Sequence, residues 1–186
     1  MNHEEKKINK ELLWTASSHN RILYFQKMIE ILYKTVKSNI ILDLYNSYWD
    51  CFLNNMKLND WVLNTLETLK AKWFKIAVVS NLITNIQLKK LSKLGIEAYI
   101  DILVTSEEAW IEKPASTIFY MTLKKLDVLL SDSIMVWDSI VNDIEWWRNI
   151  WLKTGLFIND EKKVDTSKYN KSDYIINNIW ELLEIL

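Results

Sequence analysis

The feature that most constrains this chain is a change of hydrophobic period at Phe74. Before it, apolar residues recur at helical spacing. From Arg21 to about Lys37 the set Ile22, Leu23, Phe25, Met28, Ile29 and Leu32 predicts one helix, and Ile40 to about Asn55 predicts a second. Asn59 and Asp60 offer N-caps for a third, whose apolar face is Val62, Leu63, Leu66 and Leu69. The run Phe74 to Val79 (FKIAVV) is instead short and nearly continuous, as expected of a parallel strand covered on both faces.

Beyond that run, strands and helices alternate. Helices are predicted at Thr84 to Leu94, ended by Gly95, at Ser116 to Leu126, at Asn142 to about Ile150 and at Ile179 to Leu186. Strands are predicted at Ile100 to Thr105, Ser133 to Val136, Leu152 to Ile158 and Tyr174 to Ile176. This alternation gives an α/β fold with a parallel, doubly wound sheet. The 186 residues allow one domain, or a core plus a small inserted cap. Ligands of such sheets bind beyond the carboxyl ends of the strands. That places Ser80 and Asn81, Thr105 and Ser106, and Asp138 as candidates.

Charge narrows the partners. The 23 basic and 24 acidic residues nearly cancel without long runs of one sign, which predicts no nucleic acid and no anionic membrane surface. Small molecules remain. Cys51 is the one cysteine, which excludes an internal disulfide and fits a reducing compartment; it reads as a small buried apolar residue. Met1 to Glu11 carries no signal-peptide core, and no apolar run approaches the roughly 20 residues of a membrane span. A cytoplasmic location is expected.

Singly, the candidates have ordinary readings. Ser80 suits a turn after a strand, Lys113-Pro114 a solvated lysine before a turn, and Asp138 with Asp143 the start of a helix. In order they form a pattern. The run VVSN (Val78 to Asn81), then EEAWIEKP (Glu107 to Pro114) with Ile118 and Phe119 after it, then MVWDSIVND (Met135 to Asp143), resembles the second, third and fourth motifs of the haloacid dehalogenase superfamily. The resemblance covers roughly Leu58 to Leu186. KPASTIFY and NDIEWWRNIW look most like its branch of sugar-phosphate phosphatases, such as acylneuraminate 9-phosphatase, and pyrimidine nucleotidases.

The resemblance implies a Rossmann-like core, residues 59–186, and a helical cap, residues 1–58. It implies hydrolysis of a small phosphorylated metabolite, a dianion that requires hydrogen-bond donors, a cation and an in-line nucleophile. Ser80 would donate to the phosphoryl group, Asn81 would line the same loop, and Lys113 would supply fixed positive charge. Asp138 and Asp143 would bind Mg²⁺, which favours carboxylate and water oxygens. The family's nucleophile lies in an Asp-x-Asp motif ending the first, central strand. No such motif stands in this sequence; Asp43 in NIILDLYNSY lacks the second acid, which is Tyr45. The chain is therefore expected to begin downstream of its catalytic strand. Two other readings stand beside this one: an inactive fragment or binding remnant, and a dehalogenase, against which the metal-type Asp138 and Asp143 argue.

Composition adds an anomaly. There are ten tryptophans and two glycines, whereas glycine averages about 7% of residues. Against the family pattern, Trp73, Trp110, Trp137, Trp146, Trp147 and Trp151 fall where glycine is expected, and Trp61 belongs with them. The implied reading is that UGA codons meaning glycine are rendered as tryptophan. Trp14, Trp49 and Trp180 are not assigned by this pattern.

Overall fold

The computed structural model describes residues 15–138, 153–158 and 172–186. They form helices α1 (Arg21–Tyr33), α2 (Ser38–Asn54) and α3 (Val62–Ala71), then strand β1 (Ala77–Ser80) and α4 (Thr84–Leu94). Strand β2 (Ile102–Thr105), the short α5 (Ser106–Ala109) and α6 (Ser116–Leu126) follow. Strands β3 (Ile134–Trp137), β4 (Lys153–Phe157) and β5 (Tyr174–Ile176) and the terminal α7 (Leu182–Ile185) complete the described chain. None of the described helices is long and apolar enough to cross a membrane.

The chain divides into two compact units. One comprises residues 1–57, 78–97 and 103–113; the other comprises 58–77, 98–102 and 114–186. In the first, α1 packs on α2 and α2 on α4. The seam of α2 and α4 is a cluster of Trp49, Ile83 and Ile86, with Tyr45 and Leu82 packed against it. Helical spacing explains the pairing, since Tyr45 and Trp49 are one turn apart and share a face. The Asn20 side chain caps α1 by accepting from Ile22 N, as expected of an Asx N-cap.

In the second unit β3, β4 and β5 are parallel, in the order β3-β4-β5. Val136 stands opposite Gly155 and Leu156 opposite Ile175. Leu156 and Ile176 are fully buried there. Strands β1 and β2 pair in a separate two-stranded sheet.

Several predicted boundaries shift for local reasons. The strand predicted from Phe74 starts at Ala77, because Ile76 is engaged by Asp101: Ile76 N donates to Asp101 Oδ2 at 2.6 Å and Asp101 N donates to Ile76 O at 2.8 Å. β1 is half-buried along its length rather than covered on both faces. The N-cap of α3 is Trp61, without a side-chain cap bond, and not Asn59 or Asp60. The last predicted helix opens as a 3-10 turn, Ile179–Glu181, where Asn178 and Glu181 form a capping box. Cys51 is exposed, on the outer face of α2, and not buried. The helix predicted at 142–150 lies outside the described residues.

Candidate functional site

The first unit gathers Ser80, Asn81 and Lys113. β1 ends at Ser80, and the chain turns there because Ser80 Oγ accepts from Leu82 N at 3.1 Å, a turn in which a hydroxyl replaces a backbone acceptor. That bond uses a lone pair of the oxygen and not its O–H. Asn81 then holds the peptide of Lys113 at both ends: its Oδ1 accepts from Lys113 N at 2.7 Å and its Nδ2 donates to Lys113 O at 3.2 Å. The Lys113 ammonium donates to Val79 O at 2.8 Å. That bond fixes the position of the lysine head near the carboxyl end of β1.

The surrounding contacts stiffen this corner. Ser106, fully buried at the start of α5, donates to Asn81 O at 3.0 Å. Thr84 and Thr105 hydroxyls lie 2.7 Å apart, and Thr84 N donates to Glu107 Oε2 at 2.9 Å. Thr105 also caps α5, accepting from Glu108 N. The polar residues at the ends of β1 and β2 therefore hold each other.

Sequence reasoning missed Glu112. Its carboxylate is 3% exposed, and it accepts from the Ser18 hydroxyl and lies 2.7 Å from His19 Nδ1. Ser18 Oγ is also 2.7 Å from the same ring nitrogen. A hydrolytic triad uses the two imidazole nitrogens for different partners; here serine and carboxylate share one, so the arrangement is a tether. It ties the segment before α1 to the residue next to Lys113, beside the bridge between Thr15 and Ile111. Partners nearly a hundred residues apart give no signal in a single sequence.

Asp138 lies in the second unit, exposed at the carboxyl end of β3. It opens onto a cavity of about 700 Å³ whose lining includes Asp60, Val136, Phe157 and Asn178. Such a mouth beyond a parallel strand is where an α/β sheet binds ligands. Asp60, read from sequence as a helix cap, lines the same cavity. A divalent cation requires several oxygen donors. Among the described residues no group of three or more His, Cys, Asp or Glu is placed to hold one. Asp143, the second predicted metal ligand, lies outside the described residues.

Parallel strands with polar side chains collected at their carboxyl ends define an α/β protein that works at the strand-to-helix turns. The haloacid dehalogenase-like hydrolase family matches residues 3–156, and the chain belongs to it. It is 34% identical to ribulose-1,5-bisphosphate 5-phosphatase of Halopiger xanaduensis over 97% of this chain and 78% of that protein. It is 30% identical to N-acylneuraminate-9-phosphatase of Mus musculus over 72% of this chain and 54% of that protein, so it spans about half the length of that relative. A haloacid dehalogenase-type phosphatase from Thermococcus onnurineus shares the fold, with a TM-score of 0.67 and 22% identity over 97% of this chain and 85% of that one.

Proposed function

We propose that this chain carries the phosphate-holding part of a Mg²⁺-dependent phosphatase that hydrolyses a small phosphomonoester, a sugar phosphate being the substrate class that its relatives favour. The observation that carries this reading is that Asn81 clamps the Lys113 peptide while the Lys113 ammonium donates to Val79 O, one residue before Ser80. Two relatives named for phosphate removal support it. Residues 1–58 are assigned to the cap that selects the substrate, and 59–186 to the core.

In this reading the Ser80 O–H donates to a phosphoryl oxygen and Lys113 offsets the charge of the dianion. Preorganised donors of this kind are effective because they need no rearrangement as charge develops. Asp138, with Asp143, would hold Mg²⁺, which when bound neutralises phosphoryl charge. The covalent step, in-line attack giving an aspartyl-phosphate, is assigned to an Asp-x-Asp pair that these 186 residues do not contain.

Two measurements separate the parts of this proposal. Binding of inorganic phosphate, followed by calorimetry, is expected to weaken at least about tenfold in Lys113→Met, the loss of one hydrogen bond to a charged group; equal binding by the two proteins would remove Lys113 from the site. With p-nitrophenyl phosphate and Mg²⁺, the 186-residue chain is expected to turn over no faster than Asp138→Asn. Clear Mg²⁺-dependent turnover would show that the nucleophile lies within the chain.

A further inference from the structure

The left-handed region of backbone space is sterically costly for any residue with a Cβ, and glycine is its usual occupant. Six described residues have φ between 52° and 68°: Lys34, Trp61, Trp73, Gly95, Trp110 and Asp127. Three are tryptophans, in a chain whose glycines number two. Aspartate tolerates this region because its short polar side chain bonds locally. An indole has no such compensation.

The end of α3 shows the substitution most clearly. At the end of α4, Gly95 has φ 68°, Gly95 N donates to Ser92 O at 3.0 Å, and Ile96 N donates to Leu91 O at 3.2 Å. At the end of α3, Trp73 has φ 65°, Trp73 N donates to Lys70 O at 3.0 Å, and Phe74 N donates to Leu69 O at 3.0 Å. The two helices end in the same hydrogen-bonded turn, the one that glycine normally closes. Trp110, φ 59°, ends α5, and Trp61, φ 66°, precedes α3.

None of the three side chains repays the strain by packing. Trp73 is 92% exposed, Trp110 84% and Trp61 60%, whereas tryptophan is highly buried on average. Trp49 is the opposite case. It is 4% exposed, lies inside α2, and meets Tyr45, Tyr48 and Phe52 edge-on. Trp137 sits in β3 with no positive φ, so its backbone makes no demand for glycine.

We infer that positions 61, 73 and 110 are glycine in the protein as its own cell makes it, encoded by UGA in a cell that decodes this triplet as glycine, and that Trp49 is a true tryptophan. Position 110 lies three residues before Lys113, so the loop that carries this lysine is shaped by a glycine turn. The inference is independent of the activity proposed above. It rests on backbone angles and exposure, which separate the tryptophans that composition alone lumps together.

The test is to sequence the gene and, by peptide mass spectrometry, the protein from its native cells. The expected result is UGA with glycine at 61, 73 and 110, and UGG with tryptophan at 49. UGG at 61, 73 or 110, or tryptophan in the native peptides there, overturns the inference. A second measurement uses the 186-residue chain as written. Relieving each strained position, in Trp61→Gly, Trp73→Gly and Trp110→Gly, is expected to raise Tm by roughly 2–4 °C per site, whereas Trp49→Gly lowers it. Unchanged or lower Tm in all three would remove the strain on which the inference stands.

Discussion

Asn81 holds Lys113 by both ends of its peptide unit, accepting from its N–H at 2.7 Å and donating to its carbonyl at 3.2 Å. An amide is the one side-chain group that offers a donor and an acceptor in this geometry. Asn81→Asp keeps the acceptor and loses the donor; Asn81→Ala loses both. The expected cost of Asn81→Ala is about 1–2 kcal/mol, a fall in melting temperature of roughly 2–8 °C, with Asn81→Asp in between. Thermal denaturation of the three proteins checks the order.

The buried Glu112 carboxylate supports the same loop from the other side, through Ser18 and His19. Removing it leaves the 6%-exposed Ser18 hydroxyl without that acceptor. Glu112→Ala is expected to lose about 1–3 kcal/mol and Glu112→Gln less, since the amide oxygen still accepts. Urea midpoints distinguish them, and equal losses would show that the hydrogen bonds are not what the position contributes.

Asp101 joins α3 to the segment before β1. It accepts from Lys70 Nζ at 2.7 Å and from Ile76 N at 2.6 Å. The Lys70 hydrogen bond first, with the Ile76 amide assisting, holds its carboxyl below the ordinary value of 3.8. A depressed folded-state value makes the contribution fully present above the unfolded-state value and lost as pH falls through the folded one. The pair is about a third exposed, so Asp101→Asn is expected to cost only about 0.5–1 kcal/mol at neutral pH. That difference should vanish in acid below the folded-state value, as measured by denaturation at a series of pH values.

The Trp49 ring fills the seam between α2 and α4. Lys90 Nζ lies 4.8 Å from the Phe52 ring centroid and 5.9 Å from that of Trp49, and burial lowers its pKa. Trp49→Ala is expected to destabilise the chain by about 3–5 kcal/mol, as for other large-to-small changes in a core. Chemical denaturation monitored by circular dichroism measures the loss.

Periodicity alone located most elements. Helix α4 and helix α6 fall at the predicted residues, because an amphipathic repeat ended by Gly95 or by a change of pattern is a local signal. The start of β1 was displaced because Asp101, distant in sequence, takes the hydrogen bonds of Ile76. The exposure of Cys51 was illegible for a related reason: which face of α2 is buried depends on where α1 and α4 pack.

What the sequence by itself determined is the α/β class, the order of its elements, the polar residues Ser80, Asn81 and Asp138 at the strand ends and Lys113 in the motif before the next helix, because these follow from period and from motif order. Only tertiary structure decided that Asn81 clamps Lys113, that Glu112 tethers Ser18 and His19, that Asp60 lines the cavity of Asp138, and which tryptophans stand in glycine's backbone conformation. The physical reason is that hydrogen-bond partners and backbone angles are set by packing between segments far apart in the chain, where no local spacing records them.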